Sequence, residues 1–97
     1  MVQHSLVVSA RARADLLAAR RWLNQPGSGL KARLTMARIN RAISQLGFAP
    51  GRWAIGGIDD VRERFVEGYA VLYRFDNSRG RILILRVFGP YQNRAEP

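Results

Sequence analysis

Two segments in the first half of the chain carry apolar residues at helical spacing. The first segment, 10–24, is rich in Ala, Leu and Arg, and its apolar stripe consists of Ala12, Leu16, Ala19 and Leu23. In the second segment, 29–46, apolar residues recur at alternating steps of four and three, as on one face of an amphipathic helix. That second stripe consists of Ala32, Met36, Ile39, Ile43 and Leu46. Together the two segments predict a helical hairpin over 10–46.

Residues that favour helix starts and helix ends bound both segments. Ser9 and Ser28 stand at the N-cap positions, where a side-chain oxygen accepts a hydrogen bond from a backbone N–H. Pro26 interrupts the helical pattern, and Gly47 stands where a left-handed residue commonly ends a helix. We therefore expect two antiparallel helices joined by a loop of about four residues.

The last third of the chain is rich in β-branched and aromatic residues. This composition predicts three strands, at 61–66, 69–76 and 81–88. Glu67-Gly68 and the four residues 77–80 supply the two turns between them. A further short strand, 2–8, is predicted before the first helix. The resulting element order is β-α-α-β-β-β.

This order predicts the α+β fold class, with an antiparallel sheet and an αα-hairpin packed on one of its faces. The 97 residues form a single domain, with a three-stranded meander at 61–88 and a polar tail at 89–97. Strict alternation along the last strand would place Ile84 and Val87 on opposite faces of the sheet. We expect the aromatic side chains of Tyr69, Tyr73 and Phe75 in the core.

Charge adds an expectation about partners. The chain has 16 Lys and Arg residues against 7 Asp and Glu residues, and its net charge is +9. Residues 1–50 hold eight cations and a single anion, Asp15, and residues 51–97 hold eight cations and six anions. Because the helical half carries most of the excess charge, its outer surface is expected to bind an anionic partner, for which nucleic acid, a membrane surface and an acidic protein are the alternatives.

The sequence offers little material for catalysis. It has no Cys, which excludes disulfides, thiolate chemistry and zinc fingers, and a single His, His4, so a metal site that used it would need carboxylates as its other ligands. Asp59-Asp60 is better explained by a turn than by a carboxylate pair. We expect no metal and no cofactor. Since no signal peptide or membrane-spanning run is evident, we expect a cytoplasmic protein.

Arginine and tyrosine side chains of the predicted sheet and tail remain as candidates for contact with an anionic target. The set consists of Arg62, Arg64, Arg74, Arg86, Tyr91 and Arg94. Guanidinium groups neutralise phosphates or carboxylates, and tyrosine can stack on a base or transfer a proton. Arg86 interrupts an apolar strand, so its charge needs either a partner or an exit to solvent.

The order of elements and three sequence segments resemble the bacterial toxin superfamily that includes RelE and ParE. Residues 8–16, with an Ala and an Asp-Leu pair, resemble the start of that fold. Residues 61–76, with Gly68-Tyr69 at a turn, resemble its core hairpin, and residues 82–89 resemble its closing strand. The resemblance covers nearly the whole chain and implies the toxin of a type II toxin–antitoxin pair.

Two mechanisms are known on this fold. RelE-like toxins cut mRNA on the ribosome, whereas ParE-like toxins poison DNA gyrase without acting as nucleases. RelE-like toxins typically carry a catalytic Arg directly after the Gly-Tyr pair, and here that position is Ala70. The segment Leu85-Arg86-Val87 looks more like the closing strand of ParE. The resemblance therefore implies a gyrase poison that is not an enzyme and has no catalytic residues, with a RelE-like, metal-independent endoribonuclease as the alternative.

The resemblance also implies a partner. A ParD-like antitoxin, acidic and folding when it binds, would dock on the helical hairpin. The residues expected to bind it are Arg13, Leu17, Arg20, Arg21, Arg38 and Arg41. The expected target of the toxin, DNA gyrase, would then contact the arginines of the sheet.

Overall fold

The computed structural model describes residues 4–52 and 60–90 of the chain. In chain order its elements are β1 (Ser5–Val8), α1 (Ala10–Leu23), α2 (Gly29–Leu46), a short 3₁₀ helix (Pro50–Arg52), β2 (Val61–Val66), β3 (Tyr69–Asp76) and β4 (Arg81–Phe88). This order confirms the predicted α+β fold. Neither described helix is both long enough and apolar enough to cross a membrane.

The four strands form one sheet in the order β1-β4-β3-β2. Strands β2, β3 and β4 are antiparallel neighbours, whereas β1 runs parallel to β4. The sheet is therefore mixed rather than purely antiparallel. The reason is that the chain leaves β1 through the helical hairpin, and a long crossover of this kind allows the first and last strands to lie parallel.

The start of α1 is fixed as the sequence predicts. The Ser9 hydroxyl accepts a hydrogen bond from the backbone N–H of Ala12 at 3.0 Å. The same hydroxyl donates to the backbone carbonyl of Leu85 at 2.9 Å, so the cap also joins the helix to β4. The N-cap of α1 is therefore both a local and a tertiary contact.

The two other predicted boundary residues behave differently. Ser28 has helical backbone angles and makes no side-chain cap hydrogen bond. Gly47 is right-handed, with φ of −60°, and its carbonyl accepts the backbone N–H of His4 at 2.7 Å. Both residues therefore bound α2 as predicted, but neither has the predicted geometry. The left-handed residues near this helix are Gly27 and Gly29, with φ of 87° and 72°, in the turn between α1 and α2.

The core lies between the helical hairpin and one face of the sheet. Both predicted helical stripes point into it, which confirms them. The buried core residues are Ala12, Ala19, Ile39, Ile43, Leu46, Tyr69, Val71, Tyr73, Ile82, Ile84 and Val87. Phe75 and the half-buried members of the stripes pack against this cluster.

A β-bulge at Leu85 changes the faces of β4. Ile84 and Arg86 lie opposite consecutive residues of β3, so Leu85 has no cross-strand partner there. Because of this extra residue, Val87 shares the buried, helix-facing side with Ile84. The expectation of strict alternation is therefore wrong beyond the bulge. Arg86 lies opposite Leu72, and its guanidinium donates to Asp15 of α1.

Candidate functional site

A groove of about 550 Å³ runs between the outer sides of α1 and α2. Its walls and floor are formed by Arg13, Leu16, Leu17, Arg20, Asn24, Arg33, Met36, Ala37 and Asn40. Leu17 is 50% exposed, and Leu16 and Met36 are half-buried at the edge of the core. The groove therefore combines an apolar floor with three guanidinium groups.

Helical spacing explains why these arginines meet in one place. Arg13 and Arg20 are seven residues apart, which is about two turns, and so they lie on one side of α1. Arg33 lies on the facing side of α2. Within residues 4–52 and 60–90, none of the three forms an ion pair. Their charges therefore add up in the groove.

The one anion of the helical half points away from this groove. The Asp15 carboxylate accepts hydrogen bonds from Arg86 Nε at 2.8 Å and Nη2 at 3.1 Å, and from the backbone N–H of Val87 at 2.8 Å. Its side chain is 11% exposed. Because Asp15 is committed to β4, it does not neutralise the arginines between the helices.

The structure brings together only half of the residues predicted to bind an antitoxin. Arg13, Leu17 and Arg20 line the groove, whereas the exposed Arg21 and Arg41 lie outside its lining. Arg38 also lies outside and forms an ion pair with Glu67 on the turn between β2 and β3, at 3.1 Å.

Sequence reasoning missed Arg33. The signal was present, because Arg33 stands one turn before Met36 and so extends the edge of the apolar stripe. Only the packing of α1 beside α2 shows that this edge faces Arg13 and Arg20.

The sheet arginines do not form one cluster. Arg62 and Arg64 lie opposite Tyr73 and Val71 and so share the helix-facing side, at the edge strand β2. Arg74 is exposed on the other face of the sheet. Tyr91 and Arg94, which complete the predicted target-binding set, lie outside the described residues.

Arg86 has an anionic partner, as expected for a charged residue within an apolar strand. Asp15 holds the guanidinium side-on, and the ring of Phe88 lies 4.5 Å from the guanidinium carbon. The hydrogen bond to Asp15 raises the pKa of Arg86 above its usual value, so the group stays charged. Its side chain is 21% exposed. This geometry joins α1 to the end of β4.

Tyr73 is a core residue, as expected. Its hydroxyl donates to the carbonyl of Pro50 at 2.6 Å. Burial raises the pKa of Tyr73 to about 12, although the positive charges of Arg62 and Arg64 oppose part of that rise. The phenol is therefore neutral at physiological pH and serves to hold the 3₁₀ helix on the sheet.

The comparison with known families decides what kind of protein carries this groove. The family described as "ParE toxin of type II toxin-antitoxin system, parDE" matches residues 6–89. The chain belongs to the ParE toxin family. That family assignment covers both helices and all four strands except the first residue of β1. A search of the curated proteins finds no match.

Solved structures share the fold of this ParE family member. A chain of the chromosomal ParDE toxin–antitoxin system of P. aeruginosa is 22% identical with a TM-score of 0.73, over 90% of this chain and 96% of that one. A chain of the RelBE2 complex of Mycobacterium tuberculosis is 23% identical with a TM-score of 0.66, over 91% and 99%. A chain of the E. coli RelBE complex is 13% identical with a TM-score of 0.63, over 92% and 99%. The fold is thus common to ParDE and RelBE complexes.

Proposed function

We propose that the chain is a toxin that poisons DNA gyrase by binding it and that is neutralised by a ParD-like antitoxin. Membership of the ParE family over residues 6–89 carries this proposal. The RelE-like alternative, a nuclease that cuts mRNA on the ribosome, uses the same fold. The choice between them rests on the residues of the sheet.

Ala70 supports action by binding rather than by catalysis. At the position where RelE-like toxins typically carry a catalytic Arg, this methyl side chain is only 2% exposed and lies opposite Phe65 and Phe88. No cationic group is available from that position. The dispersal of Arg62, Arg64 and Arg74 over two faces also argues against a metal-free site that would stabilise a phosphorane.

The groove between α1 and α2 supports an acidic antitoxin as partner. Its three arginines attract carboxylates, and its apolar floor offers surface for a helix that folds as it binds. The P. aeruginosa relative is a ParDE system by its description. We extend that pairing to this chain and assign the antitoxin to the groove.

Pulse labelling after induction of the chain in a bacterium tests the target. Poisoning of gyrase should reduce thymidine incorporation before methionine incorporation, and the purified chain should block supercoiling by gyrase. Earlier loss of methionine incorporation together with mapped mRNA cuts would overturn the proposal in favour of the RelE-like nuclease.

Arg74 offers a matched test of the surface that reaches the target. Its side chain is exposed on the open face of the sheet, so Arg74→Gln should preserve the fold and weaken gyrase inhibition. Arg21→Gln removes the same charge from the outer side of α1 and serves as the control. Equal activity of both variants would remove Arg74 from the target-binding set.

A further inference from the structure

We infer that the groove selects its partner helix by the positions of three carboxylates. Two lie on the flank of the partner that faces α1, and one lies on the opposite flank, facing α2. This inference rests on the proposed function, because the partner is the antitoxin, and it adds the charge pattern that the antitoxin must carry.

The floor of the groove identifies the partner as a helix with an apolar stripe. Half-buried Leu16 and Met36 form the floor of the groove, and exposed Leu17 and Ala37, each four residues after a wall arginine, line its outer part. An amphipathic helix buries its stripe against such a floor and gains about 25 cal/mol for each Å² of apolar surface removed from water. A nucleic-acid backbone would use the arginines but would leave this apolar surface without a matching partner.

The spacing of the wall arginines sets the spacing of the carboxylates. Arg13 and Arg20 are seven residues apart, which corresponds to about 10.5 Å along the helix axis. A partner helix lying along the groove has the same rise, so two acidic residues seven positions apart on one flank meet both arginines. Arg33, on the other wall, requires a carboxylate on the other flank.

The three groove arginines differ from Arg38 and Arg86, which are held by ion pairs within the fold. Arg38 is paired with Glu67, and Arg86 is held by Asp15. Among the described residues, Arg13, Arg20 and Arg33 have no such anion. They can therefore pair with a partner without first losing an internal ion pair.

Two designed peptides of about 21 residues test the inference with the full-length chain. Both carry the same apolar stripe and the same number of Glu and Gln residues. The first places Glu on both flanks of the stripe, and the second places Glu on the outward side and Gln on the flanks. We expect the first peptide to bind about tenfold more tightly by calorimetry. Protection from hydrogen exchange should appear in α1 and α2.

Charge-reversal variants locate the contacts. Arg13→Glu, Arg20→Glu and Arg33→Glu should each weaken the first peptide by about fivefold. Arg11→Glu makes the same change of charge on an exposed position of α1 outside the groove and should leave binding within about twofold. All four positions are exposed, so the variants should fold, and circular dichroism checks this.

Three results would overturn the inference. Equal binding of both peptides, or an equal effect of Arg11→Glu, would show that only net charge matters. Preferential binding of a DNA or RNA duplex, weakened by the groove reversals, would assign the groove to nucleic acid. Peptide binding requires no gyrase, so a failed gyrase assay would leave this inference standing, and failed peptide binding would leave the gyrase target standing.

Discussion

Asp15 links the helical half of the chain to the end of the sheet. Strand β1 ends at Val8, opposite Ile84, and from there α1 runs beside β4. The Asp15 carboxylate accepts the Val87 N–H and holds Arg86 at 2.8 Å. A backbone donor that β1 no longer reaches is therefore satisfied by a helix side chain, as buried donors must be.

Asp15→Asn tests how much this contact contributes to the free energy of unfolding. The amide oxygen can still accept the Val87 N–H, but the charge opposite Arg86 is lost. We expect a loss of about 2 kcal/mol in the free energy of unfolding, less than for a fully buried pair because Arg86 keeps partial contact with water. Urea unfolding at neutral pH measures the change. Glu67→Gln, the corresponding change of carboxylate to amide in the exposed ion pair with Arg38, is the control. An equal loss of unfolding free energy in that variant would contradict the prediction.

Tyr73 predicts an alkaline limit to stability. Burial raises its pKa from 10.0 to about 12, so above pH 10 the unfolded chain loses the phenolic proton while the folded chain keeps it. The stabilisation that the buried, neutral phenol provides is complete below pH 10. It falls by up to about 1.4 kcal/mol per pH unit as the pH rises toward the pKa of Tyr73 in the folded chain. Urea unfolding between about pH 9 and pH 11 follows the loss.

Tyr73→Phe is the matched variant for this pH dependence. It removes the ionising group and leaves the Pro50 carbonyl without its donor, which costs about 1 kcal/mol at neutral pH. Its stability should then fall less steeply above pH 10 than that of the parent chain. Parallel pH profiles of the two proteins would show that Tyr73 does not carry the effect.

At the scale of elements, the sequence predicts the helices and strands because periodicity and turn residues act locally. The stripe from Ala32 to Leu46 and the cap at Ser9 both rest on neighbouring residues. The parallel pairing of β1 with β4 and the bulge at Leu85 depend on contacts between distant parts of the chain. No local pattern encodes them, and this is why the side of the sheet occupied by Val87 was predicted wrongly.

The turn between β2 and β3 gives a prediction at this scale. Glu67 and Gly68 have φ of 51° and 81°, and a left-handed conformation costs an ordinary side chain about 1 kcal/mol more than it costs Asn. The exposed ion pair of Glu67 with Arg38 contributes less than about 1 kcal/mol. Glu67→Asn should therefore stabilise the chain slightly, by about 0.5 kcal/mol. Thermal unfolding measures it, and Gly68→Ala should act in the opposite direction.

At the scale of the whole molecule, the sequence predicts the charge but not its placement. The net charge of +9 and its concentration in the first half follow from counting. That count cannot show that Asp15 turns toward Arg86 or that Arg38 turns toward Glu67. Residue counts alone predict a generally basic surface. The packing of the helices, in contrast, brings three arginines together in one groove.

This placement predicts opposite effects of salt on the free chain and on its complex. Raising NaCl from about 20 mM to about 200 mM shortens the Debye length from roughly 20 Å to below 10 Å. Repulsion among the cations of the free chain then weakens, so its free energy of unfolding should rise by about 1 kcal/mol, or about 4–8 °C in melting temperature. Attraction to an acidic helix weakens over the same range, so peptide affinity should fall.

The triple variant Arg13→Gln, Arg20→Gln and Arg33→Gln separates the groove from the rest of the charge. It removes three positive charges from one place, so both salt effects should shrink together, with the loss of salt-dependent binding the larger of the two. A variant that removes Arg11, Arg21 and Arg41 instead has the same net charge and should keep the salt dependence of binding. If both triple variants bind the peptide with the same dependence on salt, the groove arginines contribute no more to binding than other cations do. The peptide would then be attracted by the net charge of the whole molecule.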